Sequence, residues 1–203
     1  SALTFIAVYP PCAFMIERVL SFFLPKRPVP RMNYASVPDE GRTVVVVSHY
    51  LTDARQAEKA MKDILAMQAV NKDKNLYYVA LCDLHECKSE TDASDGAILE
   101  ELMKYSEEEN LTVMVRKRVK SGGSYRAYER KRGAIRDLNE YLLSGDNGKF
   151  RYVSKEINVK PRFVLTLDAD SRMGAGEIRK AVNTMLHPLN AKFDLMTFES
   201  VYS

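Results

Sequence analysis

Asp168 and Asp170 close the apolar run Phe163-Val164-Leu165-Thr166-Leu167, with only the small residue Ala169 between them. Two carboxylates so spaced can flank one divalent cation. A hard ion of the Mg²⁺ or Mn²⁺ type takes oxygen ligands, commonly one or two carboxylates together with substrate phosphates. The same spacing equally suits a turn at Asp168 and a helix N-cap at Asp170, ahead of a helix beginning near Ser171. Opposite charge comes from Lys131 and Arg132, which open a helical segment and would add to the helix dipole and backbone donors in attracting phosphate. Gly133, next in the chain, would permit close backbone approach. Asp83, ending a second apolar run, can accept an N–H from a nucleobase, or can simply be a turn residue beside a buried thiol in Cys82-Asp83-Leu84-His85-Glu86-Cys87.

Positioning such groups requires strands that end at one edge. Thr43-Val-Val-Val-Val-Ser48 is the clearest buried-strand signal, followed by helical spacing of Ala54, Ala57, Met61, Ile64 and Leu65 within 52–70. A second strand over 76–81 leads to Asp83. A helix is expected over 95–108, a third strand over 111–116 and a further helix over 129–143. The fourth strand is the one that ends on Asp168, preceded by Pro161 and expected to be buried. A helix over 176–185, Pro188 and a last strand over 193–198 complete the pattern. Strands alternating with helices predict an α/β fold with a Rossmann-like, mostly parallel sheet. Ligands of such sheets gather beyond the carboxyl ends of the strands, where Ser48-His49, Asp83, Asp168 and Asp170 all fall. The first strand is followed by no Gly-x-Gly-x-x-Gly, and Gly122-Gly123 lacks the ending of a P-loop, so neither a dinucleotide nor a Walker-type site is indicated.

Composition narrows the class. The 203 residues, 46% hydrophobic and 28% charged, suit one globular unit with a core. A net charge of +3, from 30 basic and 27 acidic residues, argues for no nucleic-acid partner. Cys12, Cys82 and Cys87 cannot all pair within one chain and match no zinc-site spacing, which points to a reducing compartment. Residues 1–24 are mostly apolar but interrupted by Pro10, Pro11, Glu17 and Arg18. They are read as an apolar N-terminal helix at a membrane interface or packed on protein, with its amphipathic part over 14–24. Residues 25–42, with five of their members proline or glycine, are read as a linker, and 43–203 as the domain. Structural readings suffice for His49 (a strand-end histidine), His85 and Cys87 (too few for a metal site), and His187 (closing a helix C-terminus). Arg126, Arg130 and Arg136 fit a solvated face, and Arg172 is the best of the arginines for a phosphate contact.

Three segments carry a family resemblance: Glu129-Arg-Lys-Arg-Gly-Ala-Ile-Arg-Asp-Leu-Asn139, Leu165-Thr-Leu-Asp-Ala-Asp-Ser-Arg172 and Met185-Leu-His-Pro-Leu-Asn190. Together they resemble inverting glycosyltransferases of the GT-A type, and within them the glycosyltransferase region of bacterial cyclic β-1,2-glucan synthases. The resemblance implies a UDP-glucose donor, a growing glucan acceptor, Mg²⁺ or Mn²⁺, and a parent enzyme of the bacterial inner membrane with this domain on its cytoplasmic face. It implies donor-binding roles for Asp83 (uridine), Lys131, Arg132 and Gly133 (diphosphate region), and metal binding by Asp168 and Asp170. It places the catalytic base beyond Ser203, so these residues are expected to be a fragment that holds donor without turnover. A non-catalytic nucleotide- or partner-binding module, and a GT-A synthase of another β-glucan, remain as alternatives.

Overall fold

A computed structural model describes residues 2–23 and 29–192. The strand expected over 193–198 lies outside the described residues. The four predicted runs form parallel strands β1 (Thr43–Leu51), β2 (Leu76–Leu84), β3 (Leu111–Arg116) and β7 (Phe163–Asp168). Three short strands intervene: β4 (Val119–Ser121) and β5 (Ser124–Arg126) form a separate hairpin, and β6 (Phe150–Val153) pairs antiparallel with β3. The main sheet has the order β6-β3-β2-β1-β7.

Helices α1 (Ala2–Phe23), α2 (Ala54–Val70), α3 (Asp95–Met103), α4 (Arg130–Ser144) and α5 (Glu177–Met185) follow or precede these strands. Strand alternation decides which helix covers which face. Val45, Val47 and Leu51 of β1 point into a core shared with Met61 and Ile64 of α2, Ile98 of α3, and Ile178 and Val182 of α5. Val44 and Val46 point the other way, against Ala134, Leu138 and Tyr141 of α4. The result is a three-layer α/β/α fold, Rossmann-like as expected, in which each fully buried aliphatic side chain contributes about 1.5–3 kcal/mol.

Local chemistry sets the boundaries. Asp53 N-caps α2 by accepting the amide of Gln56 at 2.8 Å. The helix expected over 95–108 stops at Met103, because continuing it would set Glu107, Glu108 and Glu109 at the negative end of the helix dipole. The N-terminal helix runs unbroken through Pro10 and Pro11, which lack the amide hydrogens its ladder would use there. Phe14, Met15, Ile16, Val19 and Leu20 of α1 are exposed. No helix among the described residues is long and apolar enough to cross a membrane.

Two further expectations change. The strand β7 is not buried: Val164 and Asp168 are exposed, since among the described residues it is the edge of the sheet and only its Phe163, Leu165 and Leu167 face packs on the core. The proline-rich segment, where described, ends in a 3-10 turn at Asp39–Gly41 and is strapped to the domain. The amide of Met32 bonds the Asn183 carbonyl at 2.9 Å, Asn190 donates to the carbonyl of Pro30 at 2.8 Å, and Val37 is fully buried.

Candidate functional site

β1 has β2 on one side and β7 on the other, so the chain's direction of travel across the sheet reverses at its edge with β7. That reversal leaves a crevice beyond the carboxyl ends of the strands. The register places Ser48 beside Asp168 and Tyr50 beside Asp83, so a carboxylate flanks the end of β1 on each side. A cleft of about 590 Å³ opens there, lined by Ser48, His49, Tyr50, Asp83, Arg130, Lys131, Asp168, Ala169 and Asp170. Asp83, Lys131, Asp168 and Asp170, far apart in sequence, are thereby brought to one surface.

Not every residue singled out from sequence reaches it. Lys131 lines the cleft and forms an ion pair with Asp168, while Arg132 is exposed and does not line it. Gly133 is buried under the loop before α4 and does not line the cleft. A Cβ there would collide with the carbonyl of Tyr128 and come within 3.1 Å of Arg116 Nη1. Its close approach is therefore to the protein's own backbone. Gly133→Ala is expected to cost about 1–3 kcal/mol by forcing that loop outward, read as a lowered urea midpoint at unchanged slope.

The helix-cap reading of Asp170 does not hold. Residues 169–176 form turns and loop, α5 begins only at Glu177, and Gly176 precedes it with φ 73°. Asp168 and Asp170 are both exposed and open to the cleft. Among the described residues no three His, Cys, Asp or Glu side chains converge as a ready-made metal site.

Asp83 sits deeper. It lies inside β2, 6% exposed, and both its oxygens accept from Arg116, at 2.7 Å from Nε and 2.7 Å from Nη2. Burial raises its carboxyl pKa, and the Arg116 guanidinium opposes that rise. His49 turns toward α2 and is 8% exposed, which lowers its pKa from the ordinary 6.5 to about 4; Asp63 opposes the fall, and Arg172 and Lys59 add to it. Its Nε2 and the buried Oγ of Ser48 have no hydrogen-bond partner among the described residues. Arg172 is committed to Asp63 at 2.6 Å. His187 follows the last turn of α5, where its amide donates to the Thr184 carbonyl at 3.1 Å; its ring turns onward, Nδ1 accepting the amide of Leu189 at 3.2 Å and capping the turn Pro188–Asn190.

Sequence reasoning passed over two cleft residues. Tyr50 presents a half-exposed ring, and the Arg130 guanidinium lies 5.8 Å from its centroid. An aromatic residue directly after Ser48-His49 at a strand end was the available signal. Next to the cleft, a second hollow of about 340 Å³ is lined by Tyr50, Glu86, Tyr128, Glu129 and Arg130, among others.

The arrangement offers hard oxygen ligands, fixed positive charge and an aromatic face within one cleft. Such a set can take a phosphorylated ligand with an accompanying cation. No family model matches the chain. Over 166 residues it is 24% identical to a curated relative, the cyclic beta-(1,2)-glucan synthase NdvB of Rhizobium meliloti (strain 1021); the match covers 76% of this chain. The chain spans about 6% of that relative's length.

Proposed function

We propose that the chain is the donor-binding part of a nucleotide-sugar-dependent glycosyltransferase of the GT-A type, taking UDP-glucose for synthesis of a β-1,2-linked glucan by a larger membrane enzyme. The observation that carries this reading is the convergence of Asp168, Asp170, Lys131 and Asp83 around the end of β1. Similarity to a glucan synthase supports the class of acceptor. The exposed apolar side chains of α1 support apposition to a membrane or to the rest of such an enzyme.

The residues fit a Mg²⁺ or Mn²⁺ ion. Asp168 and Asp170 would hold it together with the donor's diphosphate oxygens, as befits a site where no third ligand of that kind converges among the described residues. When bound, the ion neutralises charge on the diphosphate leaving group. Lys131 would exchange its pairing with Asp168 for a phosphate oxygen, and Arg130 would add a second cation at the same lip. The half-exposed ring of Tyr50 gives a base a face to stack on. Displacement at the anomeric carbon with inversion is then assisted by charge already fixed in place. The acceptor's proton would go to a base that none of these groups supplies.

Asp168→Asn and Asp170→Asn should each weaken Mn²⁺-dependent UDP binding by at least about 100-fold, the upper range for loss of even an outer partner of a metal ligand. Because both side chains are exposed, unfolding midpoints should barely move. Equal UDP affinity in the variants and the parent chain, measured by fluorescence or calorimetry, would remove the metal-binding assignment.

A further inference from the structure

The basic lip of the cleft rests on an unfavourable backbone. Glu129 has φ 54° and Arg130 φ 42°, two consecutive non-glycine residues in the left-handed region. L-residues rarely adopt it, and they persist there only when the surroundings over-determine them. Glu129 makes no side-chain cap to α4. What holds the turn is Arg116, the last residue of β3, which is 3% exposed and sits where the pairing of β3 with β6 shifts register.

Every N–H of the Arg116 guanidinium is donated. Besides the two bonds to Asp83, Nη1 bonds Asp137 Oδ2 of α4 at 2.8 Å and the Tyr128 carbonyl at 3.2 Å, and Nη2 bonds the Arg130 carbonyl at 2.9 Å. The two carbonyls bracket the left-handed pair, and the missing side chain at Gly133 leaves room for the first of them. A planar fork is required, because an ammonium cannot donate in these directions at once.

We propose that Arg116 is a positioning residue for the cleft: by clamping the Tyr128 and Arg130 carbonyls between β2 and α4, it holds the Glu129-Arg130 turn in its left-handed form and presents Arg130 and Lys131 to a phosphate group. Its contribution to donor binding rests on the function proposed above. Its hold on the turn does not.

Hydrogen exchange on the full chain separates this role from a general loss of stability. Arg116→Lys keeps the charge and loses the fork. Amide exchange over 127–133 should accelerate at least about ten-fold, the lower end for a lost bond to a charged group, while β1 and β2 keep their protection. Adding Glu129→Asn, a residue that tolerates the left-handed region, should recover part of that protection. Should Arg116→Lys fail to fold, Asp137→Asn, which weakens one arm only, should accelerate the same segment several-fold. Unchanged exchange at 127–133 in a folded variant, or no recovery with Glu129→Asn, overturns the proposal. In parallel, Mn²⁺-dependent UDP affinity should fall about ten-fold in Arg116→Lys. Equal UDP binding by the parent and Arg116→Lys overturns the positioning role and leaves the donor site standing. No UDP binding by the parent chain refutes the donor site, and the exchange experiment alone then decides the hold on the turn.

Discussion

Replacing Asp95 by asparagine is expected to lower the unfolding free energy by about 3–5 kcal/mol, the cost of leaving a buried charge without its partner. Asp95 is 1% exposed, and its carboxylate receives Arg118 on both oxygens at 2.7 Å and Arg151 at 2.6 Å. The Arg118 side chain is as deeply buried, and it also bonds the carbonyls of His85 at 2.7 Å and Glu90 at 3.2 Å. The network thus ties α3, the segment after β2, and β6 to the residue that leads into the β4–β5 hairpin. Whole domains are stable by only about 5–15 kcal/mol, so urea unfolding should show a large fall in midpoint. The triple replacement Asp95→Leu, Arg118→Met and Arg151→Met should recover much of the loss, since exchanging a whole buried ionic group for apolar side chains is often neutral. A single-variant cost below about 1 kcal/mol, the range of exposed pairs, would show that Arg118 finds water instead.

His49 makes the fold sensitive to mild acid. Burial sets its folded pKa near 4, below the ordinary 6.5 that it regains on unfolding. Between those values the unfolded chain binds the proton and the folded chain does not. Stability from this group is therefore complete above about pH 6.5 and is lost as pH falls toward 4, by roughly 3 kcal/mol in all. Asp95 and Asp137 have lowered carboxyl pKa values despite burial, through Arg118 and Arg151 for the first and Arg116 and Lys149 for the second. Their contributions persist through this window and fade only at lower pH. His49→Gln, which cannot take the proton, isolates the effect. Denaturant unfolding at pH 7 and pH 4.5 should show a wild-type loss larger than the variant's by about 2 kcal/mol or more. Equal losses would mean that the imidazole is protonated in the folded chain.

The parts of the fold legible in the sequence were those that advertise burial. β1, β2 and β3 are apolar runs ended by polar residues, and α2 shows its core-facing side in Ala57, Met61 and Ile64. The short strands were not legible. Phe150-Arg151-Tyr152-Val153 is brief and carries Arg151, whose charge is met by Asp95, 56 positions earlier. Gly122 and Gly123 did carry a hairpin signal, with φ 62° and 96°, but their flanks Val119-Lys120-Ser121 and Ser124-Tyr125-Arg126 show no apolar alternation to announce strands. The carboxylates at strand ends could be placed on one edge because parallel strands share a direction. Their pairings could not: nothing local says that Arg116 turns onto Asp83, 33 positions earlier, or that Gly133 makes room for it. The N-terminal end of α4 was visible as a basic cluster, but not which of its cations reach the cleft: Arg130 and Lys131 line it and Arg132 does not.

The cleft at the end of β1 is expected to bind a nucleoside diphosphate together with a divalent cation. Calorimetric titration of UDP into the chain, with and without Mn²⁺, tests it most directly. Saturable one-to-one binding that requires Mn²⁺ is the expected result, strongly weakened by Asp170→Asn in a protein with an unchanged unfolding curve. Absence of binding with the ion present, or binding equally strong without it, would contradict the account.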